Sequence, residues 1–211
     1  MSDLKVAIID YQLSNLFSVQ HACDYVGLKA KITSNPEDIS KADALILPGV
    51  GAFGDAMKNL KKFKLINPIL QSIKINKPFL GICLGLQLLF EKSEEFGQNQ
   101  GLGVIKGKVI KFRSFTKNGD KIRIPQIGWN KINIVNKNPY LNGIKNEEFM
   151  YFVHSYYVSP ENKKIIVTNT LYEDINYVSA VSQKNVFAVQ FHPERSGIEG
   201  LKIYQNFSKL I

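Results

Sequence analysis

Cys83 lies in the stretch KPFLGICLGLQLLF (77–90), with Gly81 and Gly85 two residues to either side. The apolar run before it reads as a buried strand and the run after it as a helix, with Leu84, Gln87, Leu88 and Glu91 at helical spacing. A thiol at a tight strand-to-helix bend, with the helix N-terminus directed at it, is placed to act as a nucleophile. Such a bend needs residues that tolerate unusual dihedrals and close backbone approach, which glycines supply. Cys23, by contrast, falls on one side of an amphipathic segment without flanking glycines and reads as a small buried hydrophobe. With only these two cysteines a disulfide framework is excluded.

A cysteine nucleophile needs a base, and imidazole exchanges protons near neutrality. The histidines are His21, His154 and His192. His21 belongs to the first predicted helix and reads as a surface residue, and His154, in MYFVHSYY, reads equally well as packed core. His192 closes a predicted strand in VFAVQFHPERS, where Pro193 stops the ladder and Glu194 follows. Residues two apart on an extended chain share a side, so Glu194 can orient the imidazole. Cys83, His192 and Glu194 thus supply a nucleophile, a base and an orienter. A tetrahedral intermediate also needs preorganised donors. The N–H of Leu84 is one candidate; the PGVG segment (48–51) offers others, although it also reads as an ordinary turn.

The elements that must hold these groups alternate in the first half. KVAIID (5–10), KAKIT (29–33), ALILP (44–48) and PFLGI (78–82) read as strands. Between them, a helix from Ser14 onward carries Leu16, Val19, Cys23 and Val26 and stops at Gly27, and further helical segments follow PGVGAFGDAM. Alternation of this kind predicts a parallel sheet covered by helices, which binds ligands beyond the C-terminal ends of its strands. The second half reads as shorter strands (GVIKGKVIKF, IRIPQIGWNKINIV, EFMYFVHSYYV, KIIVTNTLY, NYVSAVSQ and VFAVQFH), closed by a helix with Leu201, Tyr204 and Phe207 on one face. No repeat or linker interrupts the chain, and one domain over 1–211 is expected.

Composition narrows the partners. The net charge of +9 would suit nucleic acid, but the lysines are scattered and no zinc spacing, Arg-rich stripe or RNA-binding aromatic signature accompanies them. A solvated lysine surface is the expectation; an acidic protein partner or an anionic substrate stays open. No apolar run reaches the roughly 18 residues that cross a bilayer, and MSDLKVAIIDYQ lacks a signal-peptide pattern, so a soluble, cytoplasmic protein is expected.

LGICLGLQLLF together with FAVQFHPE resembles the triad-type, class I glutamine amidotransferases. IDYQLSNLFSV (9–19), LPGVGAFGDAM (47–57), PQIGWN (125–130) and YFVHSYY (151–157) are similar to the glutaminase subunits of imidazole glycerol phosphate synthases in histidine biosynthesis. The resemblance implies a flavodoxin-like α/β fold, an open and mostly parallel sheet flanked by helices with extra antiparallel strands in the second half. It implies hydrolysis of L-glutamine to glutamate and ammonia through a thioester on Cys83, with His192 and Glu194 completing the triad and no cofactor or metal. Val50, Gly51 and Leu84 then match the oxyanion region, with a peptide flip that leaves Val50 turned away at rest. Gln87, Ser155 and Tyr156 match positions that hold glutamine.

The same resemblance implies a heterodimer with a (β/α)₈ cyclase, which receives the ammonia, and places Asn15, Gln126, Trp129 and Arg195 at or near the docking face; Trp129 as plain core is the alternative. The family pattern D-Y-G-x-G-N is here Asp10, Tyr11, Gln12, Leu13, Ser14 and Asn15, and P-H-x-G-W-N carries Gln126. A paralogous glutaminase that feeds a sugar amidotransferase in surface-polysaccharide synthesis is the alternative acceptor system. A non-catalytic interaction module and a cysteine peptidase are the remaining ones.

Overall fold

The computed structural model describes residues 6–13 and 15–211. Ser14, and Lys5 at the start of the first predicted strand, lie outside the described residues. In chain order the first half comprises β1 (Val6–Ile9), α1 (Leu16–Tyr25), β2 (Ala30–Thr33), α2 (Pro36–Lys41), β3 (Ala44–Leu47), α3 (Phe53–Lys62), α4 (Ile66–Lys74), β4 (Phe79–Ile82) and α5 (Leu84–Leu88). There follow β5 (Phe90–Ser93), β6 (Asn99–Gln100), β7 (Ile105–Lys111), β8 (Gln126–Ile134), β9 (Glu148–His154), β10 (Tyr156–Pro160), β11 (Ile166–Tyr172), β12 (Ile175–Gln183), β13 (Val186–Val189) and α6 (Gly197–Ser208).

The central strands run β2-β1-β3-β4-β13, all parallel, in the doubly wound order of flavodoxin-like sheets. β12 joins β13 antiparallel, and the sheet continues through β10 and β7 to β5 and β6, with β11, β8 and β9 branching from β12. The expected architecture is therefore present, with parallel strands confined mainly to the first half plus β13.

Buried residues alternate between two layers, as the period of a strand covered on both faces demands. Val6 and Ile8 of β1 and Ile46 of β3 pack with Val19 and Cys23 of α1 and with Ile203, Tyr204 and Phe207 of α6. Ala7, Ile9, Leu45 and Leu47 face the other way, against Ile39 of α2, Phe53 and Leu60 of α3 and Ile69 of α4.

Two sequence expectations change here. The helix after Cys83 ends at Leu88, and Phe90–Ser93 is a strand, so Glu91 is not helical. Phe90 and Ser93 are buried, and β5 pairs with β6 and β7, so ladder formation on this edge wins over helical spacing. VFAVQFH does not stay in the ladder to His192 either: β13 ends at Val189.

Candidate active site

Three adjacent parallel strands, β3, β4 and β13, deliver the candidate groups to one edge of the sheet. β3 runs out into Pro48–Gly51, β4 into Cys83, and β13 into His192 and Glu194. The register pairs Ile82 with Val189, and the Cys83 N–H donates to the Val189 carbonyl at 2.8 Å. Nucleophile and base thus leave neighbouring strands side by side.

The bend at Cys83 has φ 52° and ψ −108°, a region that a side-chain-bearing residue occupies only when its surroundings enforce it. The flanking glycines give room. A Cβ on Gly85 would lie 1.8 Å from the Leu47 carbonyl oxygen, and one on Gly81 would lie 3.0 Å from the Ala188 Cβ and 3.2 Å from the Gly85 backbone. The strained dihedral therefore belongs to Cys83 itself, while its glycines allow α5 to pack close to the strands. Because α5 has only five residues, packing contributes more to fixing the sulfur than a helix dipole can.

Next to Cys83, the His192 Nδ1 and the Glu194 Oε1 are 2.7 Å apart, and their side chains are 3% and 1% exposed. Glu194 reaches the ring from a short 3₁₀ turn, Pro193–Arg195, rather than from an extended strand. The Ser196 hydroxyl donates to the His192 carbonyl at 2.6 Å and accepts the Tyr151 N–H, which fixes that turn. Burial pulls the His192 imidazole down, but the nearby Cys83 sulfur and Glu194 outweigh it and push the ring up to about 10. His192 Nε2 is buried without a hydrogen-bond partner, as is Glu194 Oε2.

In front of the sulfur, a cleft of about 390 Å³ is lined by Val50, Gly51, Leu84, Gln87, Ser155 and Tyr156, among others. Every substrate-side residue expected from sequence reaches it. The Gln87 Nε2 donates to the Tyr156 carbonyl at 3.0 Å and to the Gln190 Oε1 at 3.1 Å. In the segment after β3, the Val50 N–H donates to the Leu13 carbonyl at 2.8 Å, and the Leu84 N–H is 3.4 Å from the Gly49 carbonyl. Two of the three candidate oxyanion donors are thus engaged within the protein. The Tyr11 hydroxyl donates to the Pro48 carbonyl at 2.9 Å and anchors the root of this segment.

The chain matches the family model "Glutamine amidotransferase class-I" over residues 7–210. It belongs to that family. Within it, the "Imidazole glycerol phosphate synthase subunit HisH" of Aquifex aeolicus (strain VF5) is 47% identical over 207 residues, which cover 98% of this chain and 97% of the relative. HisH 1 of Methanococcus maripaludis is 48% identical over 209 residues, covering 98% of this chain and all of the relative (100%). Among solved structures, "Structure of PurLQS from Thermotoga maritima" aligns with a TM-score of 0.75 at 20% identity, covering 99% of each chain, a likeness of fold.

Two residues that the sequence pattern did not announce lie beside the cleft or the sulfur. Glu95 lines the cleft and accepts the Phe53 N–H at 2.6 Å, and burial is the main reason its carboxyl is held above the usual range. It stands in the loop after β5. Gln190 is fully buried and reaches the Cys83 sulfur. His154 is buried, bonded through Nδ1 to the Tyr156 carbonyl, and pulled down to about 3 by burial, so its ring is neutral near pH 7. His21 is exposed, and burial pushes Cys23 up to about 12, which leaves it inert.

The residues assigned to a docking face separate. Trp129 is 55% exposed and stands edge-on to Tyr151, so it is not core. Arg195 is exposed, and Asn15, with its amide oxygen turned to it, accepts from the guanidinium at 3.2 and 3.0 Å. Gln126, at 2% exposure, faces inward and accepts from the Tyr177 hydroxyl at 3.0 Å, because alternation along β8 turns Ile127 and Trp129 outward instead. Among the described residues no helix is long and apolar enough to cross a membrane.

Proposed function

We propose that this chain is the glutaminase subunit of an imidazole glycerol phosphate synthase, in which Cys83, His192 and Glu194 cleave the side-chain amide of L-glutamine. The observation that carries the reading is the convergence of these three residues and the Pro48–Gly51 segment at the ends of adjacent strands β3, β4 and β13. Identity of 41–48% to relatives bearing that name supports it.

The Cys83 sulfur attacks the amide carbon, and the charge that develops on oxygen is met by backbone N–H groups of Val50, Gly51 or Leu84. His192, raised and so protonated at neutral pH, gives its proton to the departing nitrogen; the C–N bond breaks and ammonia leaves a glutamyl thioester. Water then attacks, His192 takes its proton, and glutamate is released with the thiol regenerated. Glu194 keeps the ring in its tautomer and orientation. Glu95, the carboxylate of the cleft, suits the substrate ammonium group, and Gln87, Ser155 and Tyr156 hold the rest. At rest the Val50 N–H is committed to Leu13, so an oxyanion can use this donor only after the Pro48–Gly51 segment rearranges.

The ammonia passes to a (β/α)₈ cyclase subunit that makes imidazole glycerol phosphate and aminoimidazole carboxamide ribotide. Trp129, Arg195 and Asn15 lie on the proposed docking face. The proposal treats 1–211 as one domain working in the cytoplasm, where its free cysteines stay reduced. Cys83→Ala is expected to abolish glutamate release while cyclase binding persists. Glutamate release at the native rate from that variant would end the reading.

A further inference from the structure

Gln190 follows β13 directly, is 0% exposed, and its backbone N–H donates to the Ser179 carbonyl at 2.8 Å. Its side chain is oriented by a chain of donors and acceptors that leaves one solution. The Tyr156 carbonyl can only accept, so the Gln87 atom 3.0 Å away is its amide nitrogen. That nitrogen's second hydrogen then goes to the Gln190 side chain at 3.1 Å, which must present its oxygen. The Gln190 nitrogen is thereby forced toward the Cys83 sulfur, 3.6 Å away. The neighbouring Val189 carbonyl holds the Cys83 N–H, so one segment grips the nucleophile by both backbone and side chain.

We propose that Gln190 is a positioning residue for the nucleophile, its amide N–H held on the Cys83 sulfur by the relay Tyr156–Gln87–Gln190. The proposal rests on the glutaminase reading. A donor on the rear of the sulfur supports negative charge there and aims the atom at the cleft, where Val50, Gly51, Ser155 and Tyr156 lie. It also links substrate binding to the nucleophile, since Gln87 belongs to the glutamine cleft and sets the direction of the Gln190 amide.

The test uses the full chain, alone and assembled with its cyclase subunit. Gln190→Met keeps the size and removes both donor and acceptor. The expected result is a roughly 10- to 100-fold fall in kcat for glutamate release, with the KM for glutamine within about 3-fold, the size that loss of one charge-assisted hydrogen bond predicts. Carboxymethylation of Cys83 by iodoacetamide at fixed pH, read by peptide mass mapping, should slow to a similar degree. If Gln190 acts only by holding Gln87, KM rises and alkylation stays at the native rate, which overturns the proposal. Should the Met variant not fold, Gln190→Glu at pH about 8 replaces it: it retains the acceptor for Gln87 but sets a carboxylate against the sulfur. Native alkylation in Gln190→Glu likewise overturns the proposal. Because alkylation needs no glutamine turnover, absence of glutamate release from the native chain would count against the glutaminase reading and leave the Gln190 comparison intact.

Discussion

His192 Nδ1 and Glu194 Oε1 sit 2.7 Å apart, in side chains almost fully withdrawn from solvent, with the remaining Nε2 and Oε2 unpartnered. A buried carboxylate on Nδ1 fixes the ring's orientation and leaves Nε2 for the Cys83 side and the reacting atoms. The pair is thus arranged for proton transfer to a substrate more than for stability.

Glu194→Gln should therefore lower glutamate release by about 100-fold or more, the scale at which loss of an orienting carboxylate is felt. It should also move the His192 titration midpoint, followed by NMR of the imidazole, down from about 10. The sign follows from the raised native value. His192 contributes stability that is complete below its ordinary 6.5 and is lost as pH rises through the window up to about 10. Removing the Glu194 charge narrows that window, so urea unfolding between those limits should depend less on pH in the variant.

His154 predicts the opposite limb. Burial holds its midpoint near 3, against an ordinary 6.5, while its Nδ1 is bonded to the Tyr156 carbonyl at 2.8 Å. Between those values the unfolded chain binds a proton that the folded chain refuses, so stability is present above 6.5 and drains away as pH falls. Urea unfolding across that range should show this acid slope in the native chain. In His154→Gln the slope should fall by about 1.4 kcal/mol per pH unit at most, the linkage value of one proton.

The placement of Cys83, His192 and Glu194 together is legible in the sequence because these residues keep local signatures. Cys83 lies between glycines at a change from strand to helix, and Glu194 lies two residues from His192. What failed were statements that depend on partners distant in sequence. The spacing of Glu91 looked helical, yet pairing of β5 with β6 and β7 ends α5 at Leu88. α2 went unread because its six residues carry a single buried side chain, Ile39, too few for a period. Motif position does not reveal which side of β8 a residue takes, and Gln126 faces inward at 2% exposure. Glu95 and Gln190 owe their places to Phe53 and Gln87, contacts 42 and 103 residues away.

Trp129 tests the assembly. Its indole is 55% exposed, with Tyr151 supporting it edge-on, and Ile127 and Phe149 of the same hairpin are also exposed. A large aromatic held rigid on a strand is the kind of side chain that dominates interface energies. Trp129→Ala is expected to weaken binding to the cyclase subunit by roughly 10- to 100-fold in Kd, read by titration calorimetry. Its melting temperature alone should stay within about 2 °C of native, since an exposed side chain contributes little to the core.

Gln12 occupies a place where the family pattern has glycine, and its φ of 66° lies in the left-handed region. Its N–H is held by the Asp10 carboxylate at 2.8 Å, and its side chain is exposed, so the backbone rather than packing sets the cost. A residue with a Cβ loses about 1–2 kcal/mol in this conformation, and glycine gives part of that back through a freer unfolded chain. Gln12→Gly should thus stabilise the protein by roughly 0.5–1 kcal/mol in urea unfolding. The next residue, Leu13, accepts the Val50 N–H, so the same loop restrains the proposed oxyanion segment Pro48–Gly51. If the strained Gln12 weakens that restraint, Gln12→Gly will tighten it, and basal glutamate release without the cyclase should fall while release with the cyclase is preserved. A destabilised Gln12→Gly would show instead that the side chain, not the backbone angle, governs this turn.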